Sequence, residues 1–507
     1  MKTTKFFLMA ALALTFAACS NDDNDLTTPQ PQKAEGITIT AQLAPKTGGA
    51  TTRAVSDGGN KIESVWAENE HIAVLYEVSS TKYVADATIT AVDGSGTATI
   101  TFNVDGGTPD NTACTLVYPY SAAKDDKSGV KDDATLLAAQ DGVLDGDLDV
   151  RVGAGTIQTA TPGLTVTTQP AALYSIFKFT LKDIAGSNDK SASEFKVSNA
   201  SGDVLTTVTP GSATNELYVA LPALAAGTYW FNATVGGAPY IAKATVSTAT
   251  TAGNYYQTTV KMATLGDLMG ADGKFYATST AISTASTTAI GVIAHIGNDA
   301  CTETIANGGG HGLVLCLKNA ASGADAQWST ETSTLEFGDD AKVTDADGLK
   351  RTTSVSGYTN TKTLAEKTDA ATKYKAAYAA KNYTGLTAPA GTTGWFLPSA
   401  QQWVKMQEGL GGLAESAIVW DSWFNNDHSA ATAWETAMAK AGTKGTAYDS
   451  MTDAYLWYWS SSEFSADRAV FLDVDATGTG GDYGFLWGYD IKDSKNVVSR
   501  VRPVLAF

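Results

Sequence analysis

Cys19 is the residue of this chain with the clearest chemical assignment. Lys2 and Lys5 precede an apolar run from Phe6 to Phe16, and Ala17-Ala18-Cys19 follows. A basic flank, a brief hydrophobic stretch and small residues before the cut make a secretory signal, too short to remain as a membrane-spanning helix. A Cys directly after two small residues makes it a lipobox, in which the thiol of Cys19 takes lipid and becomes the first mature residue. The alternative is an ordinary signal with an incidental Cys. Several acyl chains on one residue anchor far more firmly than the single chain that binds only marginally. The sequence therefore predicts a signal over 1–18, lipid attachment at Cys19, and a polar tether over 19–35 carrying Pro29 and Pro31.

Other reactive groups are sparse. His71, His295, His311 and His428 are scattered, and none forms a helical His-x-x-x-His pair of the kind that holds zinc. No Cys–His or Ser–His nucleophile signature is present, and no twelve-residue EF-hand calcium loop. Asp473 and Asp475 alternate on one strand face, which fits a solvated rim or salt bridges better than an acid–base pair. Asp421 and Asp427 flank Trp423 to Asn426, where they could hold calcium or simply cap turns. With Cys19 lipidated, Cys114, Cys301 and Cys316 remain, so a disulfide framework is excluded. Cys301 and Cys316 could bridge across a Gly-rich turn; equally, Cys316 lies in a buried-strand pattern where Cys is a small hydrophobe. The expectation is a non-enzyme with no cofactor and no metal.

Composition bounds the partners. With 53 Asp and Glu against 35 Lys and Arg, the net charge is −18, which excludes nucleic acid and an anionic membrane surface as ordinary partners. At 507 residues the chain is too long for one core and should hold about three domains.

The elements that must position these residues change character along the chain. Ile37, Ile39, Ala41 and Leu43 alternate with Thr38, Thr40 and Gln42, a half-buried strand. Further alternating runs follow at Ile72 to Tyr76, Ala98 to Val104 and Leu116 to Tyr120, with a helical period only over Asp132 to Gln140. This predicts a β-sandwich over 36–165. A smaller second sandwich is expected over 166–262, from Leu173 to Phe179 through Gly253 to Lys261. Beyond it, nine of the eleven Trp lie past residue 300 and helical spacing appears. Ser399 and Gln402 make a capping-box pair before Trp403, Met406 and Leu410. A second helix is expected over 430–441, with Gly442 at its C-cap, and a third near Thr372 to Ala380. Strands and Gly-rich turns return after Tyr455. The fold class expected is multidomain: two all-β sandwiches followed by an α+β domain over 263–507.

The first half resembles the fimbrillin family of lipoprotein pilins. The resemblance covers roughly residues 1–262 and rests on the order of its parts: the lipobox, the Ile37–Leu43 strand, Thr52-Arg53-Ala54-Val55, and Trp66-Ala67-Glu68-Asn69-Glu70-His71-Ile72-Ala73-Val74. Tyr118-Pro119-Tyr120, Phe177-Lys178-Phe179 and the close from Gly253 to Lys261 complete it. The resemblance implies transthyretin-like sandwich domains and proteolytic maturation between Arg53 and Ala54, after which the first strand leaves. The groove then takes a donor strand from another pilin subunit. A sheet missing an edge strand has unpaired backbone groups and an open apolar trough that such a strand satisfies. An Arg in an exposed Gly/Thr loop is equally a solvated residue.

The second half resembles C-type-lectin-type domains akin to the formylglycine-generating-enzyme-like group, over about residues 290–507. Gly394-Trp395-Phe396-Leu397-Pro398-Ser399-Ala400-Gln401-Gln402-Trp403, Tyr458-Trp459-Ser460-Ser461-Ser462-Glu463 and the closing Arg500 to Phe507 carry it. These motifs report scaffold rather than activity. The sulfatase-activating relatives use a late cysteine pair, and no Cys follows Cys316. The position also resembles the variable proteins of diversity-generating retroelements, which display mutated residues near the carboxy terminus. The candidate ligand-binding residues are Phe464, Asp467, Arg468, Asp482, Tyr483, Phe485, Trp487, Tyr489, Asp490 and Lys492, aromatic and charged side chains interspersed with glycine. Trp457, Trp459 and Phe471 are assigned to core.

Together these resemblances imply a cell-surface, outer-membrane lipoprotein of the fimbrium. It would be an adhesin at the pilus tip, joined to other pilin subunits by strand exchange and binding a host or bacterial glycan or protein. The alternatives are an enzyme on the lectin-type scaffold and a shaft or surface-layer component.

Overall fold

The structure is a computed structural model, and it describes residues 36–46, 55–57, 62–138, 140–145, 148–301, 310–320, 326–331, 336–337, 342–344, 350–352, 354–414, 429–452, 456–474, 485–486, 493–494 and 498–507. Cys19, Arg53, Ala54, Asp421, Asp427, Asp475, Asp482, Tyr483, Trp487, Tyr489, Asp490 and Lys492 lie outside the described residues.

The first module contains β1 (Ile37–Leu43), β2 (Val55–Asp57), β3 (Ile62–Ser64), β4 (His71–Val78), β5 (Thr81–Val92), β6 (Ala98–Val104), β7 (Thr112–Tyr118), α1 (Asp133–Leu136), β8 (Arg151–Gln158) and β9 (Gly163–Ala172). Seven of the strands make one antiparallel sheet in the order β1-β6-β5-β4-β7-β8-β9, while β2 and β3 pair as a separate hairpin. The seven strands form one continuous ladder that curls until its two ends, β1 and β9, come together. A register shift in β5 between Ile89 and Ala91 increases the local twist. The two outer strands are tied by Ala44 N–H donating to Gln169 Oε1 at 3.2 Å. Alternation decides the core: Ile39, Ala41 and Leu43 point in with Ile72, Val74, Ile100, Phe102 and Leu116, while Thr38, Thr40 and Gln42 stay in water. The sheet continues to Ala172, past residue 165, because β9 still pairs with β8 there.

The second module contains β10 (Ser175–Asp183), β11 (Glu194–Asn199), β12 (Val204–Val208), β13 (Glu216–Leu221), β14 (Gly227–Val235), β15 (Ala238–Val246) and β16 (Tyr255–Thr264). Their order is β12-β11-β14-β15-β16-β10-β13. β15 and β16 share only Tyr240↔Thr264 and Ile241↔Ala263, so the sheet folds over at this hinge into two leaves. Phe177, Phe179, Phe195, Val219 and Phe231 fill the space between them. β10 and β16 run parallel. The first two modules share apolar contacts: Ala73, Leu75, Val117 and Val150 pack with Tyr174, Ile176 and Ala220. This is why β4 reads as a solid apolar run; its two faces serve two cores.

The third module contains β17 (Leu268–Gly270), β18 (Phe275–Tyr276), α2 (Ser279–Thr284), β19 (Ala289–Ile296), β20 (Gly312–Cys316), β21 (Ala326–Gln327), β22 (Lys342–Thr344), β23 (Lys350–Thr352), α3 (Gly357–Ala365), α4 (Ala370–Lys373), α5 (Lys375–Lys381), α6 (Ala400–Gly409), α7 (Ser429–Ala439), β24 (Leu456–Ser465), β25 (Arg468–Val474), β26 (Phe485–Leu486), β27 (Asp493–Ser494), β28 (Val498–Ser499) and β29 (Val504–Ala506). Its central sheet is β18-β17-β19-β20-β29. One face packs under α6 and α7, where Trp403 stacks on Trp434 at 5.8 Å; the other carries Met269, Ile293, Val314, Cys316, Leu505 and Phe507 against Trp230, Ile241 and Ala263 of the second module. The Ala-rich run near Thr372 to Ala380 forms two short helices, α4 and α5, that break at Tyr374. The capping box is as expected: Ser399 Oγ accepts from Gln402 N–H, and Gln402 Oε1 accepts from Ser399 N–H. No helix among the described residues is long and apolar enough to cross a membrane.

Candidate functional site: the seat of the first strand and the carboxy-terminal sheet

β1 occupies one edge of the first sheet. Seven residues pair in register with β6, from Ile37↔Val104 to Leu43↔Ala98. Ala44 and Pro45 then carry the chain around the end of the sheet, and Lys46 turns inward. Its side chain is 0 % exposed. The ammonium stands 3.1 Å from Asp149 Oδ2 and 4.0 Å from Glu70 Oε2, as an ion pair and not a directed hydrogen bond. It also faces the rings of Tyr118 and Trp66, 3.8 and 4.4 Å from their centroids. Trp66 and Tyr118 meet edge to face at 5.3 Å, and Trp66 Nε1–H donates to Ala44 O at 2.9 Å.

Asp149 is the anionic hub of this seat. Arg151 Nε–H donates to both of its oxygens, at 2.8 and 3.0 Å, and Ser64 Oγ–H donates to Oδ2. Glu70 is held by Tyr118 Oη–H at 2.9 Å and by Ala67 N–H at 3.0 Å. Burial pulls the Lys46 pKa below its ordinary value, and Asp149 and Glu70 oppose that pull. Burial, and then the Glu70 charge, push the Tyr118 phenol well above its usual range. A buried amine is tolerated because two carboxylates and two ring faces replace its water.

None of Lys46, Asp149 and Arg151 stands out in the sequence. The pairing joins β1 to the approach to β8, a long-range contact invisible to local periodicity. The one legible signal was Trp66 and Glu70 within the Trp66-to-Val74 motif.

At the carboxy-terminal end, the structure brings part of the candidate binding set together. Phe464 lies on β24, Asp467 in the turn, and Arg468 opens β25. β26, with Phe485, pairs with β25 through Val474, and β27 pairs with it through Arg468↔Ser494. Asp467 and Arg468 form an exposed ion pair at 3.6 Å. Asp473 lies on β25 opposite Trp457 and Leu486.

Two assignments are corrected here. Trp459 and Phe471 are buried, but Trp457 is 37 % exposed. It shares the face of Trp459, yet lies where that cluster ends, so its ring rests on Phe471 at 5.3 Å and its remainder meets water. Cys301 and Cys316 are not bridged to each other. The physical reason is that the two side chains belong to different clusters: Cys316 packs with Trp395 and Leu505, while Cys301, in the loop after β19, packs against the cluster under α6 and α7. Burial raises the Cys114 and Cys316 thiols to about 12, which keeps them protonated and inert.

A cleft of about 610 Å³ runs between the second and third modules, lined by Glu194, Ser198, Asn232, Tyr240, Asn298 and His311 among others. Among the described residues no group of three or more His, Cys, Asp or Glu could hold a metal ion.

No protein-family model matches the chain, and no curated protein matches it. Among solved structures, similarity is found to a fimbrial protein from Bacteroides ovatus, at 14 % identity over 93 % of this chain and 99 % of that one, with a TM-score of 0.33. A fimbrial assembly protein from Parabacteroides distasonis is similar at 12 % identity over 44 % of this chain and 91 % of that one, with a TM-score of 0.26. The pilus 2b backbone protein of group B streptococcus is similar at 14 % identity over 46 % of this chain and 96 % of that one, with a TM-score of 0.16. At these scores the likenesses establish neither fold nor family, and the functional reading rests on the chain's own geometry.

Proposed function

We propose that this chain is a surface-anchored, pilus-associated adhesin. Lipid on Cys19 tethers it to the outer membrane, β1 is an exchangeable strand released by cleavage at Arg53, and the third module presents a face for a glycan or protein ligand. The observation that carries this reading is the place of β1. It is an edge strand paired with β6 alone, its inward Ile39, Ala41 and Leu43 complete the first core, and the segment containing Arg53 connects it to the rest of the sheet. Removing such a strand leaves an apolar trough and a row of unpaired backbone groups, which an incoming strand satisfies by β-augmentation. A place at the tip, not in the shaft, is supported by β29. It is hydrogen-bonded to β20 with Leu505 and Phe507 in the core, so it is committed to its own module and is not free to be donated.

Digestion with an Arg-specific protease tests the reading. Amino-terminal sequencing should find Ala54 as a new first residue, and the digested chain should join other subunits into higher assemblies. An Arg53→Ala chain should remain intact and monomeric. If Arg53→Ala assembles as well as the wild type, the strand is not exchanged by this route.

A further inference from the structure

We propose that the seat of the first strand is an ammonium socket. It recognises any strand placed beside β6 by a lysine three residues beyond that strand's last inward apolar residue, and so fixes which strand enters and in what register. This inference rests on the exchange reading above and names the chemistry of the partner. In the present chain the reader residue is Lys46 and the last inward residue is Leu43.

The apolar alternation of β1 leaves its register underdetermined. A one-residue slip turns its apolar residues to solvent and is excluded, but a two-residue slip keeps Ile39, Ala41 and Leu43 facing inward. In the β1–β6 ladder the cross-strand bond from Thr38 Oγ1–H to Asn103 Oδ1 is exposed and does not by itself forbid that slip. Lys46 does, because its amine has one place to go. Asp149 and Glu70 supply the negative charge, Trp66 and Tyr118 supply ring faces, and the site is closed to water. A two-residue slip would strand the ammonium outside, or drive Ala44 or a polar neighbour into a box built for a cation.

The socket is held without Lys46. Asp149 keeps Arg151 and Ser64, and Glu70 keeps Tyr118 and the Ala67 amide. It therefore persists as a preformed, anion-lined pocket when the strand leaves, poised for another amine. A carboxylate in its place would stand against both Asp149 and Glu70 in a buried box, which is strongly disfavoured. The partner that fits is an extended segment with three alternating apolar residues, then two residues rounding the sheet end, then lysine.

The test uses the full chain, nicked at Arg53, and labelled peptides of residues 36–46. The wild-type peptide should displace the resident strand. A peptide carrying Lys46→Glu, and one of unchanged charge in which the lysine is moved by Ala44→Lys with Lys46→Ala, should each bind at least about tenfold more weakly. The moved-lysine peptide separates the socket from simple attraction of a basic peptide to an acidic protein. If either altered peptide binds as well as the wild type, the socket is wrong although exchange is right. If no peptide enters, the exchange reading fails, and the socket is judged on the intact chain by amide hydrogen exchange. There, Lys46→Glu should speed exchange across Ile37–Leu43 by at least about tenfold while His71–Val78 keeps its protection. Unchanged protection of Ile37–Leu43 overturns the socket.

Discussion

His311 stacks on Trp230 with ring centroids 3.9 Å apart, joining the residue just before β20 to the middle of β14 across the boundary between the second and third modules. Lys243 lies over the same indole, 5.1 Å from its centroid. Burial, reinforced by the Lys243 charge, lowers the His311 pKa to about 4. The unfolded chain titrates this His near its ordinary 6.5, so it binds more protons than the folded chain between those values. Stability should therefore be complete above about pH 6.5 and fall as the pH drops toward 4, by on the order of 2–3 kcal/mol from this group. Thermal midpoints compared at pH 7 and pH 4.5 check this. His311→Phe, which keeps the stack and removes the proton, should flatten the dependence; an unchanged slope in that variant would assign the effect to other groups.

The same boundary bears on whether the third module is autonomous. The sequence invites cutting at residue 263, but Met269, Ile290, Ile293, Val314, Leu505 and Phe507 pack with Trp230, Ile241 and Ala263. Expressed alone, residues 263–507 should expose this face and associate or bind a hydrophobic dye, whereas a fragment retaining the second module should be monomeric. Size-exclusion chromatography distinguishes the two. A monomeric 263–507 with cooperative unfolding would show the contact to be dispensable.

Gln402 does more than complete a capping box. Besides accepting from Ser399 N–H, its Nε2 donates to Ala300 O at 2.9 Å and to Val355 O at 3.0 Å, all in a fully buried position. Gln402→Ala should remove the partner of two buried backbone groups, at Ser399 and Ala300, and of a partly buried one at Val355, and cost about 3 kcal/mol, against about 1 kcal/mol for the loss of an ordinary cap. Urea denaturation of the full chain measures the difference. A loss near the lower figure would mean that water enters to replace the amide.

Trp457 is an exposed aromatic side chain of the carboxy-terminal sheet. Trp457→Ala should lower affinity for a cell-surface or matrix ligand by at least about tenfold, because large aromatic anchors dominate interface energies. The thermal midpoint should fall by no more than several degrees, since 37 % of the residue already meets water and the rest packs on Phe471 at the end of its cluster. A large fall in midpoint with unchanged binding would return Trp457 to the core.

Much of this architecture is legible locally. The alternation of Ile39, Ala41 and Leu43 gave the correct inward face, and Ser399 with Gln402 placed the start of α6. What escaped was set by distance along the chain. No periodicity tells that Lys46 meets Asp149, that β4 serves two cores, or that Cys301 and Cys316 belong to different clusters. Trp457 was misassigned for a related reason. Its face was read correctly, but where a cluster ends along a strand depends on what packs beside it, and that is tertiary information.

The pairing of β20 with β29 also sets an order of events as the chain folds. Leu313 to Leu315 must wait for Val504 to Ala506, so the central sheet of the third module cannot close until nearly the whole described chain has been made. The first two modules face no such delay, because every strand they need lies before residue 265. Modules tend to fold as units in the order they emerge, and contacts distant in sequence form late. A growing chain therefore carries two finished modules and one that stays open, its apolar strands accessible to chaperones and proteases until the last arrives. Chains interrupted upstream of Val504 would be left with β20 uncovered and open to proteolysis.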